Sequence, residues 1–369
     1  MEKSELREIS QHFKVNGAYL SCNLIENGHI NDTYKLIVGS GESQESYILQ
    51  KINHHVFADI YAVMSNIFLV TEYLHKVISE AGRNSLFETL TIIKTTEDQL
   101  YYQDRNTNTY WRVYRFISDT NITHLQDKNR QLALSGLAFG SFHERLNHFD
   151  IQQLHETIPA FHDTKKRFQA FREAVNQDTR IRAESIRDEI HFFLEREAYA
   201  DKVLRLIDQG IIPVRVTHND TKLNNVLIHP ETQVTACIDL DTVMPGSLLY
   251  DFGDSIRSGA NHALEDEKDL SKVTFDLSLF KAYTTGYFQS AKTILTPSEV
   301  EMLAFSAILI TYECGMRFLT DYLNGDTYFK INRVGHNLDR ARTQIKLVRD
   351  MESQYEAMRK VVFSCYQSI

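Results

Sequence analysis

The chain has 369 residues, enough for two lobes with separate cores, and its hydrophobic (43%) and charged (24%) fractions are ordinary for a globular protein. A formal net charge of −9 excludes a general attraction to nucleic acid or to an anionic membrane surface. Four scattered cysteines, Cys22, Cys237, Cys314 and Cys365, form neither a disulfide framework nor paired zinc spacing, and the charged start MEKSELREIS is unlike a signal peptide.

In chain order, the first third reads as short strands over 19–24, 33–38, 47–52 and 90–94, rich in β-branched and aromatic residues and bounded by Glu26-Asn27-Gly28 and Gly39-Ser40-Gly41. A further hairpin is predicted from 99–103 and 110–116, with 104–108 as its polar tip. One helix interrupts these strands over 57–79, where Ile60, Val63, Met64, Ile67, Val70, Leu74 and Val77 recur at helical spacing and Gly82 is placed to end it. After residue 117 helices are predicted over 129–147, 165–175, 181–207, 275–291, 297–323 and 338–363. Short strands are predicted at 214–217, 225–228 and 235–238. The apolar run 302–310 is too short to cross a bilayer. These elements predict an α+β, two-lobed protein-kinase-like fold: an N-terminal antiparallel sheet with one helix (1–116, nucleotide-binding) and a larger, mainly helical lobe (117–369, catalytic and substrate-binding). Nucleotide is expected in the crevice between the lobes. The expected setting is the cytoplasm, as a monomer or small homo-oligomer whose partners are small molecules, with no nucleic acid and no membrane.

The chemistry concentrates in 216–254. His218-Asn219-Asp220 is followed by Asn225 five residues after Asp220, and an apolar strand then delivers Asp239. Phosphoryl transfer from a magnesium nucleotide needs this set. One carboxylate, Asp220, takes the proton of an acceptor hydroxyl; an amide, Asn225, and a second carboxylate, Asp239, hold the metal. His218 is expected to hold the loop. Asp241 is a second metal ligand or a support. Lys222 is placed to contact the transferred phosphate. Asp251-Phe252-Gly253 spells the metal-binding tripeptide of protein kinases, but it lies 31 residues beyond Asp220, against 19 for Asp239. The shorter interval fits a single hairpin, so Asp251 is read as a support of the catalytic loop. His143-Glu144 with His148 misses the zinc-protease helix: histidines five apart fall about 140° apart around a helix.

In the first lobe, Asn27-Gly28-His29-Ile30-Asn31-Asp32-Thr33 lies where a phosphate-covering loop is expected, with polar side chains able to reach acceptor hydroxyls. Strand alternation allows Gln50 or Lys51, never both, to face the nucleotide. The backbone of Arg115, Phe116 and Ile117 is offered to adenine.

The segment His218-Asn219-Asp220-Thr221-Lys222-Leu223-Asn224-Asn225-Val226-Leu227 resembles the catalytic loop of the aminoglycoside phosphotransferase and choline kinase superfamily. Three segments look closer to N-acetylhexosamine 1-kinases: Asn27 to Thr33, the His218 loop, and Glu313-Cys314-Gly315-Met316-Arg317-Phe318-Leu319-Thr320-Asp321-Tyr322 with Gly325-Asp326-Thr327-Tyr328-Phe329-Lys330. The resemblance covers about residues 15 to 345. It implies ATP and Mg2+, phosphorylation of N-acetylglucosamine or N-acetylgalactosamine at the anomeric hydroxyl, and a sugar pocket of His29, Asn31, Asp32, Asp220, Arg317 and Tyr328. The chain departs from the superfamily at Gln50, where many members carry a basic residue; Lys51 and Lys222 are the possible substitutes. The competing readings are a kinase of another small alcohol, such as another sugar, an amino alcohol or an aminoglycoside, and a nucleotide-binding regulator without turnover.

Overall fold

Over 33–38 burial alternates: Tyr34, Leu36 and Val38 are buried, while Thr33, Lys35 and Ile37 between them are only partly so. Such a period of two makes one face of a sheet apolar. A computed structural model describes residues 3–25, 31–40, 43–118, 120–229 and 232–369. The chain divides into two compact units. The first is Met1–Asn121 with His148–Ile158 and Leu227–Met244; the second is Ile122–Asn147 with Pro159–Val226 and Pro245–Ile369.

The first unit opens with α1 (Lys3–Ser10). An antiparallel sheet follows, built from β1 (Ala18–Ile25), β2 (Asp32–Ser40), β3 (Ser43–Ile52), β4 (Ile92–Ile93), β5 (Tyr102–Asp104) and β6 (Thr109–Arg115), with α2 (Ile60–Glu80) between β3 and β4. Its order is β1-β2-β3-β6-β4, and β5 also pairs with β6. Leu6, Ile9 and Phe13 cover one face, against Leu36, Leu49, Trp111 and Val113. Arg112, between two residues of that core, points to the other face and meets the Met64 sulfur of α2 at 3.8 Å. A small sheet joins β7 (Thr120–Asn121), β9 (Val226–Ile228) and β10 (Thr235–Cys237). One buried side chain explains why segments distant in sequence belong here. The Asn66 amide on α2 donates to His155 O (2.8 Å) and Val243 O (2.9 Å) and accepts from His155 N (2.9 Å).

The second unit contains α3 (Lys128–Arg145), α4 (Thr164–Gln177), α5 (Arg187–Leu194), α6 (Lys202–Asp208) and β8 (Arg215–Thr217), which pairs with β11 (Met244–Gly246). Then come α7 (Leu248–Gly259), α8 (Leu277–Ala291), α9 (Pro297–Asn324), α10 (His336–Ser353) and α11 (Tyr355–Ser368). The helix α9 begins in a Thr296/Glu299 capping box with Pro297 in its first turn and ends at Gly325, φ 101°. By length and composition it could cross a membrane, yet 89% of its most apolar window is buried inside the protein. No disulfide joins the four cysteines.

Two predicted helices are broken. The expected helix 181–207 becomes α5 and α6 around a turn at Glu197–Tyr199. There Arg196 stacks on Phe192 and pairs with Glu352 (2.7 Å), and Tyr199 packs on Phe305 while donating to Glu352 (2.9 Å). The expected helix 338–363 breaks at Gln354 into α10 and α11. The helices α1 and α7 were not predicted. The helix α7 carries an apolar stripe of Leu248, Leu249, Phe252 and Ile256 and a polar one of Asp251, Asp254 and Ser255, and both stripes are buried.

The contact of α3 with α8 bears on the site. A Cβ on Gly136 would meet Tyr283 O at 2.2 Å, and one on Gly286 would meet Ala133 O at 1.9 Å. The glycines let the two backbones touch, and α3 carries His143 to Tyr287 of α8 (3.0 Å). Gly286→Ala, favourable in an isolated helix, should therefore destabilise by about 1–3 kcal/mol in urea unfolding. A neutral or stabilising result would show that the close approach is dispensable.

Candidate active site

In the second unit, β8 ends at Thr217 and the chain turns through His218, Asn219 (φ 64°) and Asp220. One face of α7 grips this turn. The Asp251 carboxylate, with no solvent exposure, accepts from His218 N (2.7 Å) and Asn219 N (2.7 Å) and pairs with His143 Nε2 (2.7 Å). Asp254, one turn on, accepts from Thr221 N (3.0 Å), and Ser255 Oγ donates to Thr221 O (2.9 Å). Burial raises the Asp251 pKa, but the His143 hydrogen bond and charge and the His218 contacts outweigh it and hold the carboxyl below its ordinary range. His218 is buried edge-on against Phe139 and Phe142, and its Nδ1 accepts from Asp220 N at 3.3 Å.

Asp220 is half-buried. Its Oδ2 accepts from Asn225 Nδ2 at 2.9 Å and its Oδ1 pairs with Lys222 Nζ at 2.7 Å. Burial again works against the charge, and Lys222, His218 and Asn225 outweigh it, so the carboxyl is held below its ordinary range and is ionised at neutral pH. The Asp220 charge in turn raises the Lys222 pKa. Asn225 Nδ2 also donates to Asp220 O (2.8 Å), which orients the amide and turns its oxygen away. That oxygen suits a hard cation. Among the described residues no group of three or more His, Cys, Asp or Glu side chains could hold a metal. Mg2+ does not need one, because it binds through one or two protein oxygens plus phosphates and waters.

In the first unit, β10 leads to Asp239, an exposed residue in the left-handed region (φ 61°, ψ 58°), and then to a turn at Leu240–Thr242. Asp241 is buried with both carboxylate oxygens occupied: Arg112 NH1 binds Oδ1 and Asn31 Nδ2 donates to Oδ2 (2.7 Å). The network continues through Arg112 Nε to Gln50 Oε1 (2.9 Å) and Gln50 Nε2 to Thr33 Oγ1 (2.9 Å). Burial opposes the Arg112 charge, but Asp241 outweighs it and raises the guanidinium pKa.

Several expectations change here. Asp241 is an anchor, with a donor on each of its oxygens. Asn31, expected in the sugar pocket, spends Nδ2 on Asp241 and Oδ1 on Asn53 N (3.0 Å). Asp32 is exposed at the start of β2 and pairs in register with Lys51. Gln50, not Lys51, lies on the Asp241 face; Lys51 sits across from Trp111, on the face turned to α1. The N–H groups of Arg115 and Phe116, offered to adenine, donate to Thr91 O (2.9 Å) and Ser46 O (3.2 Å), and Ile117 is buried. Asn27, Gly28 and His29 lie outside the described residues. Sequence reading missed Arg112, whose only signal was a lone cation inside an apolar strand. It also dismissed His143, which supports Asp251.

The second unit also holds Arg317, on α9. Its guanidinium lies near the rings of Phe161 (5.4 Å), Phe329 (5.5 Å) and Tyr328 (5.9 Å). One turn on, Asp321 accepts from Thr327 N, Tyr328 N and Phe329 N (2.8–2.9 Å), which seats those aromatic residues.

A family model described as "Phosphotransferase enzyme family" (APH) matches residues 21–287. Among solved structures the chain is similar to an aminoglycoside phosphotransferase from Alicyclobacillus acidocaldarius subsp. acidocaldarius DSM 446, at TM-score 0.63 and 13% identity over 97% of this chain and 96% of that one. It is similar to an amicoumacin kinase in complex with AMP-PNP and Ca2+ (TM-score 0.61, 11% identity, 96% and 94%). A choline kinase from Cryptosporidium parvum Iowa II also matches (TM-score 0.56, 12% identity, 98% and 96%). At these identities the likeness is one of fold, the α+β fold of aminoglycoside phosphotransferases and choline kinases.

The Arg112–Asp241 pair is testable by itself. Arg112→Met leaves a buried carboxylate without its cation and should lower unfolding free energy by about 3–5 kcal/mol. Arg112→Met with Asp241→Leu should recover most of that loss. Equal losses in the single and double variants would mean that the pair is not what anchors the turn.

Proposed function

From the membership of this chain in the phosphotransferase enzyme family, we propose that it is an ATP-dependent small-molecule kinase that phosphorylates the anomeric hydroxyl of N-acetylglucosamine or N-acetylgalactosamine. The observation that carries the kinase reading is the ionised Asp220 carboxylate, oriented by Asn225 and Lys222 on a loop that Asp251 and Asp254 clamp from α7. Asp220 accepts the proton of the acceptor hydroxyl. That oxygen forms a bond to the γ-phosphorus as the bond to the ADP oxygen breaks. Asn225 and Asp239 are the proposed ligands of Mg2+, which when bound would neutralise charge on the phosphate oxygens. Lys222, already beside Asp220, is the proposed cation for the transferred group.

Support for a sugar acceptor comes from Arg317. Among the described residues it has neither a carboxylate partner nor a hydrogen bond, yet three aromatic rings flank it. A cationic donor beside apolar planes is what a sugar ring requires: donors for its oxygens and a surface for its C–H face.

Coupled ADP-release assays over free hexoses, N-acetylhexosamines, choline and homoserine, with NMR to locate the new ester, should show turnover of N-acetylhexosamines at C1. Turnover confined to choline or homoserine would replace the substrate class. Asp220→Asn should lose about 10²–10⁴-fold in kcat while calorimetry still detects magnesium-ATP binding; full activity would remove Asp220 as the base. Arg317→Ala should raise the sugar KM with little change in the ATP KM, and equal changes in both would take Arg317 out of the sugar pocket.

A further inference from the structure

The transfer chemistry assigns no role to a buried polar cluster beside Arg317. Glu313 stands one turn before Arg317 on α9 and is fully buried. Its carboxylate binds His162 Nδ1 (2.8 Å) and Thr164 Oγ1 (2.5 Å), which lie just before and at the start of α4. Burial opposes the Glu313 charge, but His162, Arg317 and Thr164 outweigh it and keep the carboxyl below its ordinary range. With Nδ1 donating to a carboxylate, the neutral ring presents Nε2 as an acceptor. The His162 side chain is only 9% exposed, and its Nε2 has no hydrogen-bond partner among the described residues. The hydroxyl of Tyr250, whose ring lies 5.1 Å away, is likewise buried and unpaired. Buried polar atoms left in this state are costly, so two on neighbouring rings call for an explanation.

Their surroundings suggest what they read. The Phe161 ring touches both His162 (4.6 Å between centroids) and the Arg317 guanidinium (5.4 Å). The cluster therefore offers a hydrogen-bond acceptor, a cationic donor and an apolar plane touching both. Burial and the neighbouring Arg317 lower the Arg167 pKa, against the opposing pull of the Glu313 and Asp163 carboxylates. A neutral group with one donor and one acceptor on opposite sides matches this set. A trans secondary amide is such a group, since its N–H and C=O point in opposite directions.

We propose that His162 is a specificity-determining residue for the acceptor, its Nε2 accepting from the N–H of an acylamino substituent whose carbonyl oxygen binds Arg317 and whose methyl lies against Phe161. Glu313 is the positioning residue that fixes the His162 ring and its tautomer. This inference rests on the N-acetylhexosamine reading and deepens it by naming the groups that recognise the acetamido function.

The test compares kcat/KM for N-acetylglucosamine, 2-O-acetylglucose and glucose. The ester keeps the carbonyl and the methyl but lacks the N–H. The unmodified enzyme should prefer the amide to the ester at least tenfold. His162→Phe should abolish that preference while the ATP KM stays within twofold; His162→Gln, which returns an acceptor near the Nε2 position, should restore part of it. Glu313→Gln should raise the N-acetylglucosamine KM and leave the ATP KM unchanged. Equal use of amide and ester by the unmodified enzyme overturns the proposal without relying on any variant that must fold. So does a His162→Phe enzyme that keeps the preference. A complete lack of turnover of N-acetylhexosamines is a different outcome, because it removes the substrate reading itself.

Discussion

Asp251 carries a negative charge to a point with no solvent exposure, and three donors make that tolerable. Two are backbone N–H groups of the catalytic loop and one is the imidazole of His143. An ionised carboxylate in low dielectric cannot do without these bonds. The loop is therefore held in one conformation even though Asn219 sits in the left-handed region. His143 is itself placed by the glycine-mediated contact of α3 with α8 and by the Tyr287 hydroxyl. Packing two helices away thus reaches Asp220 through a short chain of bonds, each with a named donor and acceptor.

The first unit uses the same device with different residues. Asp241 is a second buried carboxylate, and Arg112 with Asn31 supplies its partners. The Arg112–Gln50–Thr33 chain crosses β6, β3 and β2, so the turn after Asp239 is tied to three strands of the sheet. Gln50 stands where a lysine would bring a positive charge. Here the charge on that face belongs to Arg112 on the neighbouring strand, already committed to Asp241. In both units the acidic residues beside the proposed chemistry act as anchors, and this leaves Asp220 and Asp239 as the carboxylates proposed for chemistry.

The helix α9 shows how one apolar element can carry polar function. Glu313, Arg317 and Asp321 recur every four residues and form a single stripe on a helix otherwise sunk in the core. Glu313 fastens the segment before α4, Asp321 fastens the aromatic turn at 327–329, and Arg317 lies between them. The outer two residues fasten neighbouring segments, and the middle one is the residue proposed to meet the acceptor.

Much of this was legible in the sequence because it is local. Alternation over 33–38 and 47–52 marked strands, and the spacing of Asp220, Asn225 and Asp239 marked the candidate site. The distance of Asp251 from Asp220 set it aside as a support, and its carboxylate accepts from two N–H groups of that loop. Alternation gives parity but no face, so the choice between Gln50 and Lys51 waited for the sheet to pack against α1. Arg112 and Asp241, 129 residues apart, share no local pattern. Nor do His162 and Glu313, or His143 and Asp251. Chain-local periodicity and spacing determined the elements and the order of the reactive groups. Only the tertiary structure decided which carboxylates are spent as anchors, because a buried charge is defined by its partners and those partners come from distant parts of the chain.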